Sequence, residues 1–281
     1  MKKVICIMGP TASGKTSLSI SLAKCLNAEI INGDSVQVYE ELNIGSAKIK
    51  KDEMDNIPHH LLSLTTLNHP YTVFNFQNDV RNLVDKIKIP IIVGGSGLYI
   101  KSALYNYEFE KQEVNIENTS YEEMVSYIKE NDPEASIDFS NKRRVESAYR
   151  TLLSGAKRSE KQAKDEPLYD IFMVYLDIDR AVLKQRLEQR LEIMLQEGLL
   201  DEVKDLMDHE LNIIGYRELK SYLKGEISFE EAKEKIIQVS MRFAKKQKTW
   251  FKNQMKPKMY DALSPTLKED VLKDIEVFLR G

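Results

Sequence analysis

The sequence predicts an α/β protein: a parallel sheet built around a phosphate-binding loop (P-loop) and flanked by helices, with a small helical insertion and a helical C-terminal region. Three observations predict it. Apolar runs of strand length alternate with segments of helical spacing. The stretch "GPTASGKT" at 9–16 follows the first apolar run and opens the first helical pattern. The run "IPIIVGG" at 89–95 is apolar nearly throughout, as a parallel strand covered on both faces is.

The elements follow in order. Residues 3–8 make the first strand, and 14–26 a helix with Leu18, Ile20, Leu22, Ala23 and Leu26 as its apolar positions. Residues 28–31 form a second strand that ends in "NGDS". "YTVFNFQNDVRNLVDKIK" is a helix by the spacing of Phe76, Val80, Leu83, Val84 and Ile87; the strand at 89–95 and the helix "SGLYIKSALYNY" follow. Residues 1–110 are thus the first part of a P-loop core. The texture turns polar and acidic over 111–141, with one helical run, "YEEMVSYIKEN", and predicts an inserted helical subdomain. Residues 142–281 complete the core: a helix "KRRVESAYRTLL", a loop "GAKRSEKQAKDEP" and a last strand "LYDIFMVYLDID". Beyond that strand the pattern is helical throughout, over 181–196, 199–207 and a long helix opened by Ser228 with Glu231 three residues on, a capping-box pattern.

Composition sets the outer limits. With 281 residues, 42% hydrophobic and 30% charged, the chain can bury a sizeable core. No apolar run approaches the roughly 18 residues of a membrane span, and the apolar stretch in "MKKVICIMGP" is too short for a signal peptide, so a cytoplasmic protein is expected. Cys6 and Cys25 have neither zinc nor disulfide-framework spacing and read as small buried hydrophobes. The net charge of −3 argues against a generally basic, non-specific nucleic-acid binder. Residues 241–260 nevertheless carry seven basic side chains and no acidic one, interleaved with Phe243, Trp250, Phe251 and Tyr260. Charge alone leaves a polyanion-binding segment and a solvated helix face equally open.

The chemistry begins with Gly9, Gly14, Lys15 and Thr16, which fit G-x-x-x-x-G-K-[ST]. Such a loop converges backbone N–H groups on phosphate at a helix N-terminus; the lysine adds charge and the threonine hydroxyl a ligand for Mg²⁺. Asp34 follows the second strand, at the sheet edge where ligands of open α/β folds bind. A carboxylate there suits a metal shell or a general base, and equally a turn or a helix cap. "VGGSG" puts backbone amides and the Ser96 hydroxyl at the same edge, with glycine where many ATPases have an acidic residue, leaving Asp177 as the alternative. His59 and His60 have no partners at metal-ligand spacing and read as a packed or hydrogen-bonding loop. Arg186 and Arg190, four apart, suit either the lid of a small-molecule or nucleotide kinase or an exposed helix face; Arg217 stands apart in "IGYRE".

Taken together, "GPTASGKT", "DSVQVYEELNIGSAK", "PHHLL", "VGGSGLY", "RLEQRLEIMLQEGLLDEV", "IGYRELKSYLKGEIS" and "RFAKKQKTWF" occur in the order found in the tRNA dimethylallyltransferases, which the chain resembles over residues 3–251. The resemblance implies transfer of a dimethylallyl group from dimethylallyl diphosphate to N6 of adenine-37 in the tRNA anticodon stem-loop. By the same resemblance, Gly9, Thr11, Ala12, Ser13, Gly14, Lys15, Thr16 and Ser17 cradle the diphosphate, with Mg²⁺ on Thr16. Asp34 is the general base, and Ser96 and Arg217 serve the leaving group. Contacts to tRNA fall to Asp34, Ser35, Gln37, Arg143, Arg144, Arg242, Lys245, Lys246 and Lys248, and the protein is expected to be a monomer. Three departures stand out: Ser96 where the family usually has threonine, Ser147 where its "RRVIRALE" helix has a second-turn arginine, and a shorter insertion. No zinc-finger extension is expected beyond Gly281. The competing expectations are a P-loop kinase, a prenyltransferase acting on free adenylate, and a non-enzymatic tRNA-binding module.

Overall fold

The phosphate loop grows out of β1 (Lys3–Met8) and feeds α1 (Lys15–Leu26); β2 (Glu29–Asn32), β3 (His59–His60), α2 (Val73–Lys86), β4 (Pro90–Gly94) and α3 (Gly97–Leu104) follow. The computed structural model describes residues 1–107, 116, 119–159 and 165–281. After α4 (Tyr121–Asn131) and α5 (Lys142–Leu153) come β5 (Asp170–Asp177), α6 (Arg180–Gln196), α7 (Leu199–Asp205), α8 (Tyr216–Leu223), α9 (Phe229–Gln254), β6 (Lys258–Asp261) and α10 (Leu267–Arg280). Two units result, one of residues 1–104 with 167–281, the other of residues 105–166.

The six strands form one parallel sheet in the order β3-β2-β4-β1-β5-β6. Ile5 of β1 is in register with Ile91 on one side and Phe172 on the other. Because every strand runs the same way, the segments after β1, β2, β4 and β5 all leave at one edge. That edge therefore gathers the phosphate loop, Asp34, Gly94–Ser96 and Asp177.

Beneath the phosphate loop, Leu18, Leu22 and Ala23 of α1 share a core with Ile5, Ile7, Val271 and Ile275. Each such fully buried aliphatic side chain contributes about 1.5–3 kcal/mol relative to exposure. Lys3 Nζ donates to the Phe278 carbonyl at 2.6 Å, tying β1 to the end of α10. A second core gathers Leu183, Leu187 and Leu191 of α6 with Val203, Leu219 and Ile236 of α7, α8 and α9. In the other unit, Met124 and Ile128 of α4 pack against Val145 and Ala148 of α5. Each of its helices is capped, α4 by a Ser120/Glu123 capping box and α5 by Asn141.

Several expectations change. The boundary expected at 141/142 falls inside the second unit, because the apolar stripe of α5 finds its complement on α4. Residues 108–115, 117–118 and 160–164, which belong to the expected first core segment, insertion and loop, lie outside the described residues. The region after β5 is not helical throughout: Lys258–Asp261 adds a strand whose Val174–Lys258 pairing extends the sheet. His59 and His60, expected in a loop, pair with Ile30 and Ile31 as a strand of two residues. Cys6 is buried as expected, and burial pushes its thiol pKa up, but Cys25 is exposed on α1. Among the described residues no helix is long and apolar enough to cross a membrane.

Candidate active site

Two chambers open at the sheet edge, and they share a wall. The first is lined by Gly14, Lys15, Thr16 and Ser17 of the phosphate loop and by Gln37 and His59. The second, a cavity of about 540 Å³, runs towards α8 and α9 and is lined by Ser35, Ser96, Arg217, Arg242, Phe243 and Gln247 among others. Thr11, Lys15, Asp34, Ser46 and Arg190 line both. A cation, a carboxylate and a guanidinium thus stand where the chambers meet.

The loop has the geometry its sequence requires. Gly14 holds φ at 94°, a left-handed turn that costs glycine nothing, and α1 starts at the next residue. Ser13 Oγ and Lys15 Nζ both donate to the Pro10 carbonyl, at 2.8 and 2.7 Å. Ala12 is also left-handed, and its carbonyl accepts from Arg186 Nη1 at 3.3 Å. Burial lowers the Lys15 pKa to about 8; Asp34 opposes that shift and Arg190 adds to it. Arg190 is itself lowered by burial, with Glu53 and Glu197 acting the other way.

Asp34 serves the turn and the cavity together. Its Oδ1 accepts from Val36 N at 2.8 Å, the turn role open to it from sequence, while the residue lines both chambers. Burial raises its carboxyl pKa, and the Val36 and Gln37 amides and Lys15 hold part of that rise back. Ser96 joins the two sheet-edge turns: its Oγ accepts from Ser35 N at 3.1 Å and lies 3.2 Å from Ser35 Oγ. The glycine ahead of it has a steric cause. A Cβ on Gly94 would lie 2.1 Å from the Gly33 carbonyl oxygen, so no side chain, acidic or otherwise, fits at the end of β4.

The remaining expected residues are placed unevenly. Arg217 lines the second chamber, but its guanidinium is held by the buried carboxylate of Glu218, through Nε at 3.0 Å and through Nη2, and by Asn212 at 2.9 Å. Gln37 turns its amide onto the Ser46 and Ala47 carbonyls. Arg242 and Lys246 line the second chamber from α9, and Lys245 is exposed beside them. Lys248 is ion-paired with Asp177 at 2.7 Å, which occupies both that lysine and the acidic alternative at the end of β5. Arg143 and Arg144 are exposed on α5 of the other unit, Arg144 lying 3.8 Å from Asp138.

Neither the lid nor the exposed-face reading of Arg186 and Arg190 fits. Leu183, Leu187 and Leu191 anchor α6 in the second core, and both arginines are half-buried against the loop. Arg190 is a site residue that sequence reasoning left undecided; its signal is the position three residues beyond a core leucine. Glu218 and Glu202 were missed. Glu202 accepts from the backbone N–H groups of Asn43, Ile44 and Gly45 at 3.1, 2.8 and 2.9 Å and from Tyr216 OH at 2.6 Å, pinning the segment after Asp34 to α7 and α8.

A P-loop chamber that adjoins a second chamber, lined by Arg190, Arg217, Arg242 and Phe243, through a shared carboxylate is the architecture of a group-transfer enzyme. The comparisons with known proteins narrow this class. The family model for IPP transferases matches residues 37–254. A tRNA dimethylallyltransferase of Acholeplasma laidlawii is 61% identical over 279 residues, 99% of each chain. The crystal structure of a tRNA Δ(2)-isopentenylpyrophosphate transferase from Staphylococcus epidermidis is 34% identical and superposes with a TM-score of 0.75 over 100% of this chain and 99% of that one. A eukaryotic dimethylallyltransferase acting on tRNA, 27% identical, gives 0.86 over 99% of this chain and 78% of its own. The chain belongs to the tRNA dimethylallyltransferase family.

Proposed function

We propose that the protein transfers the dimethylallyl group of dimethylallyl diphosphate to N6 of adenine-37 in the anticodon stem-loop of tRNA, releasing diphosphate. The observation that carries this reading is Asp34, a carboxylate lining both chambers at their junction. The phosphate-loop amides, Lys15 and Arg190 receive the diphosphate, and the acceptor base enters the second chamber, extruded from its stack. The donor C1–O bond breaks with its electron pair leaving on diphosphate, and the C1–N6 bond forms. Asp34 takes the N6 proton. Cationic groups facing the departing oxygens stabilise charge that develops there, with Arg217 held in position by Glu218.

The residues present fit Mg²⁺. Thr16 offers a hydroxyl beside the cradle, and among the described residues no cluster of three His, Cys, Asp or Glu competes for a metal. Such a site suits an ion that keeps waters and takes most of its other ligands from substrate phosphate oxygens. When bound, Mg²⁺ would neutralise part of the diphosphate charge. The exposed cations Arg242, Lys245 and Lys246, together with Arg143 and Arg144, contact RNA phosphates, and Phe243, 46% exposed, offers a stacking face. One chain carries every group this reaction uses, which supports a monomer, and tRNA as substrate supports a cytoplasmic enzyme.

The test is to incubate the protein with labelled dimethylallyl diphosphate and an anticodon stem-loop RNA. Label should move to the RNA. Label moving to free AMP, or γ-phosphate moving from ATP to any acceptor, overturns the reading.

A further inference from the structure

We infer that Gln247 recognises the acceptor amine: its Oε1 takes the N6 hydrogen that the base does not remove. This inference rests on the proposed transfer to adenine N6 and extends it to the acceptor's identity.

Gln247 lies on α9, is 8% exposed and lines the second chamber with Asp34, Ser96 and Phe243. Its Nε2 donates to the Gly95 carbonyl at 2.9 Å. Its Oε1 is buried and has no hydrogen-bond partner among the described residues. The amide cannot be turned over to remedy this, because Oε1 would then face the Gly95 oxygen, acceptor against acceptor. A buried acceptor without a partner is costly to keep. Here the chain also makes room for it. A Cβ on Gly95 would stand 2.5 Å from Nε2, so the bare backbone at that position is what lets the carboxamide dock.

The docking point also relates the amide to the base. Gly95 precedes Ser96, whose hydroxyl is bound to Ser35, the residue next to Asp34. Gln247, from α9, and Asp34, from the turn after β2, therefore line one chamber, with the carboxamide docked on the turn that carries Ser96. An exocyclic amine carries two hydrogens. One leaves as a proton to Asp34 while the C–N bond forms, and the other stays on nitrogen in substrate and product alike. A carboxamide oxygen accepts that second hydrogen without competing for the proton, which a second carboxylate would do. It also confers selectivity, because a purine with a carbonyl at this position would set oxygen against oxygen. A site built around a buried polar group rejects analogues that leave it unpaired.

The test compares wild-type protein with Gln247→Met, which keeps length and removes the acceptor. Stem-loops carrying adenosine, inosine or purine riboside at the acceptor position compete for binding, and single-turnover transfer to the adenosine loop is measured with diphosphate affinity as the check on folding. The wild type should prefer the adenosine loop by about tenfold or more over purine riboside, which lacks the amine. Gln247→Met should level that preference to within about twofold and slow transfer about tenfold or more, with diphosphate binding unchanged. A Met variant that keeps the adenosine preference or the transfer rate overturns the role of Gln247. A wild type that prenylates no stem-loop overturns the reaction itself. One measurement needs no variant activity: the Gln247 carboxamide carbon resonance of the wild type should shift with the adenosine loop and not with the purine riboside loop. An unmoved resonance overturns the inference.

Discussion

Diphosphate affinity should fall as pH rises through the pKa of Lys15. Burial holds that ammonium at about 8 in the free protein, with Arg190 pushing in the same direction and Asp34 against it. An anionic donor binds the protonated lysine in preference, so binding raises this pKa and takes up a proton. The sign follows: affinity is complete below about pH 7 and is lost above 8. With a free-state pKa of about 8, about half a proton should be taken up per diphosphate at pH 8 and about nine-tenths at pH 9. The apparent dissociation constant should rise about tenfold between pH 7 and pH 9. Titration calorimetry in buffers of different ionisation enthalpy reads both quantities on one sample. Lys15→Arg supplies the control, because a guanidinium stays charged across this range and should flatten the profile. Affinity unchanged to pH 10, or an equal decline in Lys15→Arg, would refute the placement of a depressed lysine in the cradle.

Asp34→Ala should lower single-turnover transfer by about 10² to 10⁴ while diphosphate affinity stays within about twofold, as expected of a base used in the transition state. In the wild type the rate should also fall on the acid side, below the raised carboxyl pKa of Asp34, since the protonated form cannot accept the N6 proton. Glu218→Ala leaves the Arg217 guanidinium held by Asn212 alone and removes the bond from Gly215 N (2.9 Å), so donor KM should rise and thermal denaturation should show a loss of about 1–3 kcal/mol. Glu218→Gln, which can still accept from Gly215 N, should recover most of the stability. Reversing Lys245 and Lys246 to Glu should weaken stem-loop binding and reduce the slope of log affinity against log salt, measured by filter binding, with donor affinity unaltered.

The parts of this molecule written in consecutive residues were legible in its sequence. The phosphate loop, the β4 run and the Ser228 cap each depend on neighbours a few positions apart, and local pattern suffices for them. What escaped depends on partners far along the chain. Lys258–Asp261 reads as polar until it pairs with β5, because a strand at a sheet edge is specified by its neighbour more than by its own propensity. The amide of Gln247 and the carbonyl it meets are separated by 152 positions. Arg190 stayed open between a lid and an exposed face because helical spacing tells which residues share a face and not what the face meets. The glycine at 94 raised the right question without its answer, which lies in the backbone of Gly33.

The packing of α1 against Val271 and Ile275 has a consequence for how the protein is made. The P-loop is synthesised almost first, yet the layer that seals its underside lies about 250 residues downstream, and contacts so distant form late and slowly. On the ribosome the cradle must wait, its apolar underside open, until nearly the entire polypeptide has emerged. Ribosome-bound nascent chains stopped just after α9 should remain protease-sensitive around α1, and release of the β6–α10 segment should bring protection.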